Sequence, residues 1–428
     1  MEQAFVFDYG DQKLPMTVQA GRITVLDAEA AQPLQDLTES FRRAVEEDAI
    51  GSAPLRKLLT PEDRVTVVVS DITRAWMHQE RIIPLLINYL HDVTALPYDH
   101  LCILVALGTH RKMTETELRR IVTDDVYDKV TVFNHAAEEP LTYVGTTSRG
   151  TEVCVNPLVV GRKVILMGGT VHHLLAGYGG GRKSILPGVC GDMTIQHNHM
   201  LALDPALPKS SDQVGCGRLA GNPVHEDMLE AAEMVKPVFG VNLVVNSQGQ
   251  HVALPCGDYQ AAWLESCRLV DRMNGVELAE KADAVVTSCG GFPKDINLYQ
   301  SSKTLINARQ AVKEGGQLIF LSECREGGGP AAFFDWSRYQ ARGCLDLELR
   351  KHFTIAGYIF YVCCEIAAHT DCHILSAIDP KTLAIMNIRG HSGAGEIRAM
   401  LDFGDRHVVV MPHGGSTFPI VRTNNKKT

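Results

Sequence analysis

Apolar and polar positions change rhythm along the chain, and each change predicts an element. The opening FVFDYGDQKLPMTV alternates with period two around Gly10-Asp11, which predicts a hairpin, and a helical stretch follows over 34–47. Short β-branched runs ending in small or polar residues then recur at 64–69, 101–107, 129–133 and 163–167, with helical patterns such as 80–91 and 114–122 between them. Strands alternating with helices predict a parallel α/β sheet. A second series has strands at 284–287, 317–321, 372–375 and 407–411 and a helix over 299–312. A charge-rich helix over 264–281 opens that series, so the chain reads as two α/β domains with mainly parallel sheets, 1–270 and 271–428. Pro-rich turns occupy 204–211, and the polar tail TNNKKT is expected to fray.

A length of 428 residues agrees with two domains, because one compact core seldom organises so long a chain. The 45% hydrophobic and 21% charged fractions are those of an ordinary globular protein and point to no function. A formal charge of −9 argues against nucleic acid or an anionic membrane as a partner, so an anionic ligand must be met by a local basic site. No apolar run reaches the roughly 18 residues that span a bilayer. The N-terminus, with Glu2 and Asp8 and no basic region, does not read as a signal peptide, which makes the cytoplasm the expected location. The 12 cysteines include no CxxC and lie partly in apolar runs such as LCILVAL and FYVCCEI, so they read as buried thiols without chemistry.

Ligands of open α/β sheets bind beyond the carboxyl ends of the strands. Three predicted strand ends here are unusually polar: Ser70-Asp71-Ile72-Thr73-Arg74, Gly108-Thr109-His110-Arg111, and Gly168-Gly169-Thr170-Val171-His172-His173. Singly, Asp71 reads as a helix cap, Arg74 as its partner and a histidine after a strand as a hydrogen-bonded loop residue. Together they offer a carboxylate, arginines and imidazoles to one crevice.

The densest segment is HHLLAGYGGGRKSILPG at 172–188. Its glycines permit positive φ and close backbone approach to a ligand, and Arg182-Lys183-Ser184 is expected to supply charge for a phosphate, which suggests a nucleotide. The pattern is neither a Walker loop, since Arg182 stands where Gly should precede Lys-Ser, nor GxGxxG. A helix over 191–200 carries His197 and His199 on different faces, so they do not chelate one metal together, although a lone imidazole completes a site whose other ligands come from an organic cofactor. Gln300 and Lys303, at i and i+3 of a later helix, can share a carboxylate or phosphate.

This set of motifs, SDITR at 70–74, GTHR at 108–111, the 172–188 segment, His199 and YQSSK at 299–303, resembles the lactate racemase family over nearly the whole chain. The resemblance implies an active site in the interdomain cleft and a nickel-pincer nucleotide, a pyridinium mononucleotide whose two sulfurs and ring carbon bind nickel, joined covalently to Lys183 and loaded by cofactor-synthesis proteins. It implies His199 as the protein's nickel ligand, with His197 structural, and His110 and His173 as the acid/base pair. It assigns Arg74, Gln300 and Lys303 to the substrate, and Asp71, Arg74 and Tyr299 to cofactor placement. The implied activity is racemisation or epimerisation of a 2-hydroxy acid through reversible hydride transfer. The family also brings an aromatic side chain from the second domain near the site, for which Trp336, Tyr358 and Phe360 are the candidates, and its members handle 2-hydroxy acids other than lactate. Two rivals are a non-catalytic cofactor-binding homologue, disfavoured by both acid/base histidines being present, and a nicotinamide-dependent dehydrogenase, disfavoured by SDITR standing where GxGxxG belongs.

Overall fold

The protein is described by a computed structural model over residues 1–28, 31–330 and 332–421; the tail TNNKKT lies outside the described residues. The chain forms two compact units, one of Ala30–Pro205 with Ser211–Asp271, the other of Met1–Glu29, Ala206–Ser210 and Arg272–Thr428.

The first unit is built on a sheet of order His251–Ala253, Phe239–Val245, Lys163–Gly169, Val65–Ser70, Leu101–Ala106, Thr131–Asn134. The last five strands are parallel. Val65 to Val69 are buried without alternation, as expected of a central parallel strand covered on both faces. From Val65–Ser70 the chain steps outward through Leu101–Ala106 to Thr131–Asn134, then returns to the other side of the same strand with Lys163–Gly169. The order therefore reverses between Val65–Ser70 and Lys163–Gly169, and such a switch point opens a crevice at the carboxyl ends of both strands. The helix Glu115–Val122 between outer strands starts at a capping box of Thr114 and Glu117.

The second unit has a wholly parallel sheet of order Arg389–His391, Asp371–Leu375, Val312–Leu321, Ala282–Ser288, His407–Met411, Arg22–Val25. Its last strand corrects the expected division of the chain. The N-terminal hairpin Glu2–Tyr9 with Gln12–Gln19 forms as predicted, but Arg22–Val25 pairs with His407–Met411 and the hairpin buries Phe5, Phe7, Met16 and Val18 in one core with Val286, Ile319 and Val410. Residues 1–28 thus belong with the C-terminal sheet, because their apolar face has its partners there.

The helix expected over 264–281 runs instead over Ala261–Asn274 and gives way to the strand Gly275–Leu278, paired with Phe418–Val421. Gly275 is a poor helix residue, and the following Val-Glu-Leu fits the extended ladder. The two units divide inside this helix, after Asp271. Among the described residues no helix is long and apolar enough to cross a membrane.

Because Phe7 is fully buried in the second unit's core, Phe7→Ala should cost about 3–5 kcal/mol, read from denaturant unfolding and from faster hydrogen exchange in His407–Met411. A loss under about 1 kcal/mol would detach the hairpin from that core.

Candidate active site

Ser70 and Ala106 are register partners, so the turns that follow them leave the first unit's sheet side by side. Asp71 is the residue before the turn Ile72–Met77, yet its side chain makes no cap. Its Oδ2 lies 2.7 Å from His110 Nδ1 and its Oδ1 accepts the Thr73 hydroxyl at 2.6 Å. A carboxylate only accepts, so His110 carries its proton on Nδ1 and presents a lone pair at Nε2, the tautomer of a general base. Burial pushes the Asp71 carboxyl up, but the hydrogen bonds from His110 and Thr73 and the charges of His110 and Arg74 more than offset it and hold it below its usual value. Arg74 is exposed and reaches back to Thr73 Oγ1 at 3.2 Å.

The turn bearing His110 is tied to the glycine segment by Gly108 N–H donating to Gly188 O at 2.9 Å. Within that segment His172-His173 and Gly177-Tyr178 form a two-residue antiparallel ladder, and Gly181–Ser184 makes one 3-10 turn. Gly181 has φ +54°, and a Cβ there would lie 2.5 Å from Trp263 Cγ, so only glycine fits. The expected phosphate-binding role of Arg182 is not what the structure supports. Arg182 is buried at 1% exposure, donates to the carbonyls of Ala176 and Tyr178 and to His225 Nδ1, and stacks 4.0 Å from the Trp263 ring. Its donors are engaged by groups of the protein itself.

Lys183, the next residue, is only partly buried, with Nζ 3.2 Å from His173 Nε2. Burial, then the charges of Arg182 and Arg74, bring its amine down to about 7. His173 Nδ1 accepts the N–H groups of Leu175 and Ala176 at 3.2 and 3.3 Å, which leaves its proton on Nε2. Burial, followed by the charges of Lys183, Arg74, His199 and Arg182, holds His173 well below the usual histidine value. His172 turns away, onto Asp271 at 2.9 Å. On the helix Asp192–Met200, His199 is buried and donates Nδ1–H to Ile195 O at 2.7 Å, which keeps a lone pair on Nε2. Burial and then the Lys183 charge push it down to about 3. His197 faces elsewhere, 2.7 Å from Thr151 Oγ1.

The remaining expected residues lie in the second unit. Tyr299, Gln300 and Lys303 occupy the first turns of the helix Leu298–Ala311, capped by Asn297, and Lys303 Nζ donates to Gln300 Oε1 at 3.2 Å. Trp336, Tyr358 and Phe360 are all buried, with Phe360 packed 5.4 Å from Phe333. The first unit's site thus gathers Asp71 with His110, and Lys183 with His173 within the electrostatic reach of Arg74 and His199. Sequence reasoning missed Thr73, Trp263 and Asp271 as supports. Thr73 stood inside SDITR, whereas nothing local linked Trp263 or Asp271 to a segment some 80 to 100 positions away. Among the described residues no three His, Cys, Asp or Glu side chains converge to hold a metal ion by themselves.

Residues 9–209 match the lactate racemase N-terminal domain and residues 278–344 the lactate racemase C-terminal domain. The chain is 30% identical over 334 residues to the lactate racemase of Thermoanaerobacterium thermosaccharolyticum, covering 77% of this chain and 76% of that one. It is 29% identical over 291 residues to the lactate racemase of Lactiplantibacillus plantarum, covering 67% and 66%. The solved apoprotein structure of the T. thermosaccharolyticum lactate racemase is similar with a TM-score of 0.85 at 26% identity, over 98% of this chain and 100% of that one. A Thermotoga maritima protein of 17% identity shares the fold with a TM-score of 0.63, over 92% and 100%.

The electrostatics at Lys183 predict its reactivity. In unloaded protein, amine acylation followed by peptide mapping should titrate Lys183 with a midpoint of about 7, against about 10.4 for exposed lysines. Burial and neighbouring cations disfavour the ammonium, so reactivity should be full above that midpoint and lost as pH falls through it. A midpoint shared with the exposed lysines would overturn this account of the site.

Proposed function

The chain belongs to the lactate racemase family, and on that premise we propose that it is an isomerase that interconverts the stereoisomers of a 2-hydroxy acid at a nickel-pincer nucleotide tethered to Lys183. The observation that carries this reading is the pairing of a lysine amine titrating near neutrality with a catalytic-type imidazole, Lys183 Nζ and His173 Nε2 at 3.2 Å.

The residues present suit such a group. An amine that is a free base near neutral pH is competent to bond an acyl or thioacyl carbon, as a tether requires. His199, neutral and with its Nδ1–H engaged by Ile195 O, has the tautomer a metal-ligating imidazole needs, and its backbone partner supplies the outer hydrogen bond such ligands usually have. A metal here would draw its other ligands from the organic cofactor. When bound, the group supplies the acceptor for the α-hydride.

The chain's own residues supply the proton chemistry. One enantiomer loses its hydroxyl proton to His110 Nε2, and Asp71, fixed against Nδ1–H, stabilises the imidazolium that results. By family correspondence the other enantiomer, with its hydroxyl on the opposite side, meets His173; the Nε2–H that His173 carries in the unloaded protein must first pass to Nδ1, breaking the contacts with Leu175 and Ala176, before Nε2 serves as a base. After the 2-keto acid turns over, the hydride returns to its carbon and the histidine facing it gives a proton to oxygen, so no net redox change occurs. Arg74 offers fixed positive charge for the substrate carboxylate and for the oxygen on which negative charge develops. By family correspondence Gln300 and Lys303 share the carboxylate, and Tyr299 and Asp71 help place the nucleotide. Racemisation or epimerisation by hydride return is thus the reading the geometry supports best.

The test is intact mass, nickel content and peptide mapping on protein co-expressed with the cofactor-synthesis proteins. A nucleotide-sized adduct should appear on Lys183 with near-stoichiometric nickel, and Lys183→Ala should abolish it. His110→Ala and His173→Ala should keep the adduct but lose about 10²–10⁴ in racemisation rate. Unmodified Lys183 without nickel, alongside a working control, would sink the proposal.

A further inference from the structure

The helix Ala261–Asn274 supplies no group to the chemistry above, yet it grips the segment that carries His173 and Lys183. Trp263 donates its indole N–H to Gly179 O at 2.8 Å and lies against the Arg182 guanidinium. Ser266 Oγ meets Thr170 Oγ1 at 2.7 Å. Asp271 accepts the Tyr178 hydroxyl at 2.8 Å to either oxygen and pairs with His172 Nε2 at 2.9 Å. Positions 263, 266 and 271 are spaced i, i+3, i+8, which sets them along one helix face.

The last contact is the most consequential. His172 and Tyr178 are cross-strand partners in a ladder only two residues long, with His173 opposite Gly177. A ladder that short cannot hold itself in water. The shared carboxylate closes it from the side, drawing one side chain from each strand to the same point, and the two rings lie 5.3 Å apart. Successive side chains of a strand point to opposite faces. Holding His172 toward the helix therefore directs His173 the other way, where its Nε2 meets Lys183.

We propose that Asp271 is a positioning residue whose carboxylate clamps the His172–Tyr178 pair and so fixes the direction in which His173 faces Lys183. The catalytic part of this inference rests on the acid/base role proposed for His173; the clamp itself does not.

Asp271→Asn and Tyr178→Phe separate the two. In unloaded protein, amide hydrogen exchange over residues 172–178 should accelerate about tenfold in Asp271→Asn and less in Tyr178→Phe, with exchange elsewhere and the Tm unchanged. In cofactor-loaded protein the adduct on Lys183 should persist and kcat should fall about 10- to 100-fold, with KM within about twofold of the parent, the pattern of a lost orienting contact. Asp271→Glu should recover part of kcat. Unchanged exchange in both variants, or kcat within about twofold of the parent in Asp271→Asn, would overturn the proposal; so would a uniform fall in Tm and loading, which marks a merely structural residue. If the loaded parent itself does not racemise, the functional reading fails while the exchange data still decide the clamp.

Discussion

Arg182 carries a full charge into the interior of the first unit, and the segment around it is shaped to receive that charge. Burying an ion costs several kcal/mol unless hydrogen bonds replace its water. Here the carbonyls of Ala176 and Tyr178, the ring nitrogen of His225 and the face of Trp263 surround the guanidinium. Carbonyls from nearby residues converge on one point only if the backbone curls, and the curl passes through positive φ at Gly177, Gly180 and Gly181. The glycines therefore build a nest for an internal cation. Lys183 leaves that nest in a defined direction, and the positions of His173 and His199 relative to it follow.

The two histidines proposed as acid and base rest on different partners. His110 rests on a carboxylate, which fixes its tautomer. His173 rests on two backbone N–H groups and sits in the field of Lys183 and Arg74, which disfavours its charged form. Converting the Lys183 amine to an amide-like nitrogen removes a source of positive charge from beside His173 and relaxes that penalty. On the proposed function, attachment at Lys183 and proton transfer at His173 are linked through this one contact.

The fold explains why these groups meet. The sheet of the first unit reverses its order between Val65–Ser70 and Lys163–Gly169, and the three motif-bearing turns lie at the carboxyl ends of those two strands and of Leu101–Ala106. The second unit repeats the parallel design, with an N-terminal strand on its edge and a hairpin against its core. The chain thus opens in one unit, crosses to the other, which it leaves for Ala206–Ser210 alone, and returns after Asp271.

Much of this was legible in the sequence because it depends on local periodicity. The runs of β-branched residues marked most strands to within a residue or two, since a doubly covered strand must be apolar throughout, although Val312–Leu321 begins five residues before the expected 317, and the polar strand ends marked the candidate site. The conspicuous 172–188 segment pointed to Lys183. What the sequence could not determine was every choice that depends on a distant partner. It offered Arg182 as a ligand for phosphate, whereas Trp263 and His225 turn it inward. It placed the first 28 residues with the domain they precede, whereas strand pairing with His407–Met411 assigns them to the other unit. It placed Asp71 in the crevice with the histidines but named no partner among them, whereas the register of Ser70 with Ala106 brings it to His110. Amphipathic pattern specifies what a segment must bury, but only the assembled sheet specifies against what, because side-chain pairing across 30 to 400 residues leaves no periodic trace in the chain.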